Sequence, residues 1–324
     1  MSLSEISIGH PSILNQLNTY LRNRRFPNAM LFFGRKGSGK SFFARQWIVD
    51  LLCQSPDLGK ACGQCKSCIL SRTDHHPDKL VIEPDDKQSI KIETIRDMQA
   101  FYSLKPVYAE KKWILIEDAH QLTLEASQAL LKNLEEPNDS SRFILTTHHL
   151  EGLLPTIRSR CSLIPFHGYS EEEIKQLLRK KSEDTILIQE IAIIAKGNIK
   201  LAFQLLDPVF REEYEKLISL FFEVGDHLYE KLPMKAKDDL IQLLHCWEDT
   251  LLDLIKYGLS KQSALFKNGA WLVKKFQPTA AVRMEKMLGL QKQLVQYEKN
   301  LQSANPYMTS FTHCLLADIY HAFH

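Results

Sequence analysis

The sequence predicts an α/β fold on a mainly parallel sheet, followed by all-helical segments. Three observations carry that expectation. Short apolar runs alternate with amphipathic segments through residues 1–168, strand-like patterning stops near Ser170, and apolar residues then recur at helical spacing. Strands alternating with helices imply βαβ units and a sheet covered on both faces. At about 150 residues per domain, a chain of 324 residues suggests two or three domains.

The expected strands are Ala29–Phe33, Leu80–Glu83, Trp113–Glu117, Phe143–Thr147 and Ser162–Phe166. Between them, Ser41–Leu52 places Phe43, Trp47 and Leu51 on one helical face, and Leu122–Leu134 repeats the pattern. Ser170 before Glu171–Glu173 is an N-cap with acids in the first turn. The helical segment it opens runs to about Leu206, punctuated by Gly197 and closed by Asp207-Pro208. Beyond it, Leu240, Leu244, Trp247, Leu251 and Leu254 share a stripe, and sparse Gly and Pro predict a bundle of four or five helices.

With 41 basic and 39 acidic side chains the net charge is +2, which argues against an arm-like nucleic-acid binder. The longest apolar runs, such as Ala29–Phe33, fall far short of the ~18 residues of a membrane span. The start, MSLSEISIGH, lacks a basic segment followed by an apolar one, so a cytoplasmic location without membrane contact is expected.

Gly34-Arg-Lys-Gly37-Ser-Gly39-Lys40-Ser41 fits G-x-x-x-x-G-K-[S/T], entered from a strand and left by a helix. Glycines let backbone N–H groups curl around a polyphosphate at a helix N-terminus, where the dipole favours anions. Lys40 would reach the outer phosphates and the Ser41 hydroxyl would ligate Mg²⁺. Glu117-Asp118, at the end of the third strand, would complete the magnesium site, one acid positioning the ion and the other polarising the attacking water.

Four of the seven cysteines, Cys53, Cys62, Cys65 and Cys68, fall within sixteen residues. An odd total makes a poor disulfide framework, whereas four soft thiolates around a tight turn at Gly63 suit a closed, structural Zn²⁺ site. Cys53 ends an apolar helix, where burial alone would explain it; His75 or His76 would then be the fourth ligand. The thiolate count alone also fits an Fe–S cluster.

Further motifs follow in order: His76-Pro77-Asp78, Ile90-Lys-Ile-Glu-Thr-Ile-Arg96, Ala129-Leu-Leu-Lys-Asn-Leu-Glu-Glu-Pro137 and Ser159-Arg160-Cys161. With the four cysteines between the P-loop helix and the second strand, these residues resemble the AAA+ clamp-loader subunits of bacterial DNA polymerase III, and among them the delta-prime family. The resemblance covers residues 5–206 with specific motifs and is weak thereafter. It implies an AAA+ nucleotide-binding module at 1–168 with a five-stranded parallel sheet and a zinc insertion at about 53–70. A small helical lid at 169–208 and an all-α collar at 209–324 would follow. It also implies that Arg160 is an arginine finger supplied in trans to a neighbouring ATPase subunit, that Thr147 senses the γ-phosphate, and that Lys200 contacts phosphate from the lid. The implied partners are the other clamp-loader subunits, of gamma/tau and delta type, with the sliding clamp reached indirectly and primer-template DNA met inside the complex. Cys161, beside Arg160, reads as a packing residue.

Two positions depart from the family pattern. Catalytic members carry Asp then Glu after the third strand, and this chain reverses them; misplacement by about 1 Å can cost ~10²-fold in rate. Lys200 stands where the family usually has arginine, and offers a point charge rather than a rigid fork. ATP with Mg²⁺ is therefore expected to bind here and turn over slowly. An autonomous AAA+ ATPase motor of replication or recombination is the competing reading, favoured by the intact P-loop and opposed by both departures. A zinc-dependent nucleic-acid reader is the third; near-neutral charge and the lack of a basic–aromatic patch at Cys62–Cys68 oppose it. Arg22, Arg24, Arg25 and Lys111-Lys112 read as solvated faces, and Cys246 and Cys314 as buried thiols.

Overall fold

The structure, a computed structural model, describes residues 7–222 apart from 24, 57–59, 73–74 and 86–88, together with some helical positions between 244 and 255 and residues 289–297. The chain forms two compact units, Met1–Ala202 and Phe203–His324.

Helix α1 (Pro11–Asn23) precedes β1 (Ala29–Gly34), α2 (Lys40–Leu52), α3 (Lys66–Arg72), β2 (Lys79–Ile82) and α4 (Ile92–Ser103). Then come β3 (Lys112–Ile116), α5 (Leu124–Glu135), β4 (Ser141–Thr147), α6 (Pro155–Arg160) and β5 (Ser162–Phe166). All five expected strands are present. They form one sheet in the order β2-β3-β4-β1-β5, and every pairing is parallel. This is the five-stranded parallel α/β sheet expected. Because the strands are parallel, the C-terminal ends of β1, β3 and β4 share one edge. The order reverses beside β1, which is where open parallel sheets bind ligands.

Alternation along the strands fills two cores. Leu31, Ile114, Ile116, Phe143 and Leu145 face α4, α5 and α6, packing with Ile95, Met98, Leu130 and Ile157. The opposite face is aromatic: Phe32 lies 6.3 Å from Phe43, Trp47 lies 5.9 Å from Trp113, and Phe43 lies 5.3 Å from Phe166. Trp47 and Phe43 from α2 are fully buried there, each worth about 2–3 kcal/mol of apolar burial.

Helices α7 (Glu171–Leu178), α8 (Thr185–Ala195) and α9 (Ile199–Gln204) follow. Ser170 caps α7 in a reciprocal capping box with Glu173. Gly197 (φ +85°) ends α8 in the left-handed region; a Cβ there would lie 2.9 Å from the Tyr169 carbonyl oxygen. In the second unit α10 (Pro208–Phe222) is helical, and Leu244, Trp247 and Leu251 of the expected stripe are helical and buried. Leu240, Leu254, Cys246, Cys314 and Arg24 lie outside the described residues.

Arg22 and Arg25 are exposed, but Lys112 corrects the expectation of a solvated face: it is 2% exposed. Its Nζ donates to the Phe101 carbonyl at 3.3 Å and lies 4.0 Å from the centre of the Phe101 ring. A lysine stem is apolar enough to line a core when its head finds a carbonyl and an aromatic face.

Candidate functional site

The loop from Gly34 to Gly39 leaves the central strand and enters α2. Gly34, Gly37 and Gly39 have φ of +153°, +79° and +81°, so the turn the motif needs is built from glycine-favoured conformations. A Cβ at Gly34 would lie 2.0 Å from the Phe166 carbonyl oxygen, which shows how tightly the loop closes on β5. Buried His10 lies 3.1 Å from the Ser38 carbonyl oxygen through its Nε2, and its ring packs edge-on against Phe166 and Tyr169. Burial holds its pKa below the usual histidine value.

Lys40 is buried, donates to the Arg35 carbonyl at 3.2 Å, and burial pushes its ammonium down to about 8. A desolvated cation at the start of α2, directly after the glycine loop, is suited by its chemistry to a phosphate. A cavity of about 490 Å³ opens beside the loop, lined by Phe33, Gly34, Arg35, Phe166, Tyr169 and Lys196.

The Ser41 hydroxyl lies 3.1 Å from that of Thr146, which in turn accepts the Asp118 N–H at 3.2 Å. Thr146, not Thr147, is therefore the threonine beside the P-loop serine. Thr147 points to the other face of the sheet, where its hydroxyl meets His120 Nδ1 at 3.1 Å and both backbone polar groups of His149.

The two acids differ. Glu117 accepts from Arg45 Nε at 2.6 Å, while Arg45 also holds Glu83; burial still raises the Glu117 pKa above the usual range. Asp118 sits at φ +44° with its Oδ1 3.2 Å from His148 Nδ1, and that contact lowers its pKa. Burial pushes neighbouring His120 down to about 4.

From the helices after β5, Asn198 and Ile199 reach the loop: the Ile199 N–H donates to the Gly37 carbonyl at 2.9 Å. Lys200, one residue on, is exposed. Arg160 ends α6 and is exposed, with Nη2 2.8 Å from Glu135 and Nη1 donating to the Thr156 carbonyl at 3.0 Å. Cys161 is buried, and burial raises its thiol to about 12.

The thiol sulfurs of Cys53, Cys62, Cys65 and Cys68 all lie within 4.8 Å of one another, so the cluster can bind a metal. Cys53 and Cys65 Sγ are 3.9 Å apart, close to the ~3.8 Å edge of a tetrahedron with 2.3 Å metal–sulfur bonds. Backbone N–H groups of Cys62, Cys65 and Cys68 point at the sulfurs of Cys53, Cys62 and Cys65. Although burial opposes it, such donors hold the Cys65 thiol down at about 6, which favours the ligating thiolate. His76 is committed elsewhere: Nδ1 accepts from Asp78 N–H at 3.0 Å and Nε2 meets the Ser67 hydroxyl at 2.6 Å.

A family model described as "DNA polymerase III, delta subunit" matches residues 9–170. That is half of the chain. The chain belongs to the DNA polymerase III delta-subunit family. Among relatives of this family member, the DNA polymerase III subunit delta' of Pseudomonas aeruginosa is 39% identical over 195 residues, spanning 59% of each chain. The subunit delta' of Bacillus subtilis is 30% identical over 222 residues, covering 68% of this chain and 67% of that one. A solved gamma-subunit-related protein of Thermotoga maritima is 17% identical with a TM-score of 0.49, covering 95% of this chain and 100% of that one. Among the described residues no helix is long and apolar enough to cross a membrane.

Proposed function

We propose that this chain is a delta-prime-type subunit of a cytoplasmic bacterial clamp loader. It works with gamma/tau- and delta-type subunits to open the sliding clamp and place it on primer-template DNA. The observation that carries this reading is the 39% identity over 195 residues to a subunit delta' of Pseudomonas aeruginosa. In the complex, helices of 169–208 act as a lid and those of 209–324 as the collar. Arg160, exposed at the end of α6, is the finger for the neighbouring subunit's nucleotide, its planar donors meeting phosphate oxygens once released from Glu135. The four cysteines hold a structural Zn²⁺, a soft tetrahedral donor set with no open position.

The chain's own site binds ATP with Mg²⁺ through the loop amides, Lys40 and Ser41, and hydrolyses it slowly. Glu117 is clamped by Arg45 and Asp118 is turned toward His148, so neither acid is free to activate water as it stands. This arrangement favours an assembly subunit over an autonomous motor.

Reconstitution with the partner subunits tests the reading. Arg160→Ala should leave assembly intact and lower DNA-stimulated turnover at the neighbouring site by about 10³-fold. Unchanged turnover in an intact complex would refute the finger, and failure of the wild-type chain to join the complex would refute the subunit assignment.

A further inference from the structure

Asp118, His120 and His148 converge at the carboxyl edge of β3 and β4, and a donor atom from each lies within 4.8 Å of the other two. Asp118 Oδ1 and His148 Nδ1 are 3.2 Å apart, and the His120 and His148 rings meet edge-on with centres 4.2 Å apart. An ion pair between Asp118 and His148 would explain two of these groups, but not the orientation of the third.

The hydrogen bonds around His120 fix its tautomer. The fully buried Thr147 hydroxyl donates to the His149 carbonyl at 3.1 Å and accepts the His149 N–H at 3.0 Å. With its single proton used, its remaining lone pair can only accept, so His120 Nδ1, 3.1 Å away, carries the hydrogen. The lone pair is left on Nε2, and the Gln121 amide nitrogen 3.5 Å from it is a donor, in agreement. An imidazole whose Nδ1–H is held by a buried acceptor, and which has a carboxylate and a second imidazole offering donor atoms within 4.8 Å, has the arrangement of a metal ligand.

We propose that Asp118, His120 and His148 form a second metal site, separate from the four cysteines, for a divalent transition-metal ion of the zinc, cobalt and nickel class. Two imidazoles and one carboxylate select that class over magnesium and calcium, which take oxygen donors. Three protein ligands leave a coordination position for water or for an oxygen of another ligand. Gln121 swings aside when the ion enters. Thr147, which touches no metal, is a positioning residue that holds the His120 ring. The site is a property of the nucleotide-free protein and stands whether or not ATP binds.

The test is calorimetric titration of Ni²⁺ into the full chain, first loaded with Zn²⁺ and desalted, without nucleotide. Wild type should bind one equivalent of Ni²⁺ more than His148→Ala, whose exposed ring can be removed with little effect on the fold, while zinc content stays equal. Asp118→Asn should weaken that equivalent at least tenfold. Thr147→Val should weaken it by 10- to 100-fold while keeping the stoichiometry, an effect that a merely structural role would not produce. Co²⁺ bound at this site should absorb as a nitrogen–oxygen complex, without thiolate charge transfer. Should His148→Ala also lose zinc through misfolding, Asp118→Asn decides. Equal stoichiometry and affinity in wild type and Asp118→Asn would overturn the proposal.

Discussion

Asn198 closes directly over Gly37: a Cβ at position 37 would lie 2.0 Å from the Asn198 Oδ1. That oxygen is not free to move, since it accepts the Leu201 N–H at 2.9 Å and so caps α9. Gly37 also needs its left-handed φ of +79°. Gly37→Ala should therefore cost about 1–2 kcal/mol for the backbone and about 1 kcal/mol more for the displaced cap. Denaturant unfolding of the chain checks the total. Asn198→Ala alone should cost about 1 kcal/mol, and the double variant should be less damaged than the two costs summed, because the collision is gone. Strict additivity would show that the two residues do not meet.

Asp78 is fully buried and accepts three backbone N–H groups, from Val107 at 2.7 Å, Tyr108 at 2.7 Å and Ala109 at 3.0 Å. This carboxylate shapes the turn that delivers β3 to the sheet, and hence Glu117 and Asp118 to the site. Asp78→Ala strands those donors and should destabilise the chain by about 3–5 kcal/mol; Asp78→Asn, with one acceptor oxygen left, should fall between. A change in unfolding free energy no larger than that of an exposed substitution, within about 0.5 kcal/mol, would contradict this role.

Much of this arrangement is legible in the sequence, and the limits have physical causes. The five strands and the Ser170 cap announce themselves because apolar runs and capping residues are local signals. The P-loop and the cysteine cluster do so because their spacing is the chemistry. The sequence does not show which face of the sheet Thr147 takes, because β4 is buried on both faces from Ser141 to Thr147 and shows no alternation to read. The structure supplies the parity: Ile144 and Thr146 share the α2 side, whereas Phe143, Leu145 and Thr147 share the other. Lys112 was misread since a lysine doublet carries no sign of the carbonyl and ring that receive one head. His120 and His148 gave no motif because they lie on different strand ends and meet only through the sheet.

The hydrogen bonds of His76 separate it from the metal cluster and give a clean pair of variants. Cys53→Ser removes a thiolate whose sulfur lies 3.9 Å from Cys65 and should weaken Zn²⁺ binding in chelator competition by at least ~10²-fold. His76→Ala should leave metal stoichiometry unchanged and lower stability by about 1–3 kcal/mol, since it strands the Asp78 N–H and leaves the Ser67 hydroxyl with only the Leu52 carbonyl. The reverse pattern would make His76 the fourth ligand. A purified protein without visible absorption would fit Zn²⁺ rather than an Fe–S cluster.

The Lys40 ammonium offers a pH test of the nucleotide site. Burial holds it at about 8 in the empty loop, against 10.5 for an ordinary lysine. A polyphosphate in the loop favours the charged form and raises that value, so binding takes up a proton wherever the empty site has lost one. Affinity for ATP should thus be constant below pH 8 and fall as pH rises through it, by about tenfold at pH 9 relative to pH 7. Lys40→Arg, which stays charged throughout, should bind with an affinity independent of pH over that range, whatever its absolute strength. Fluorescent-nucleotide titrations from pH 6.5 to 9.5 read both curves. A flat wild-type curve would mean that Lys40 keeps its proton without a phosphate, and that the empty loop does not desolvate it.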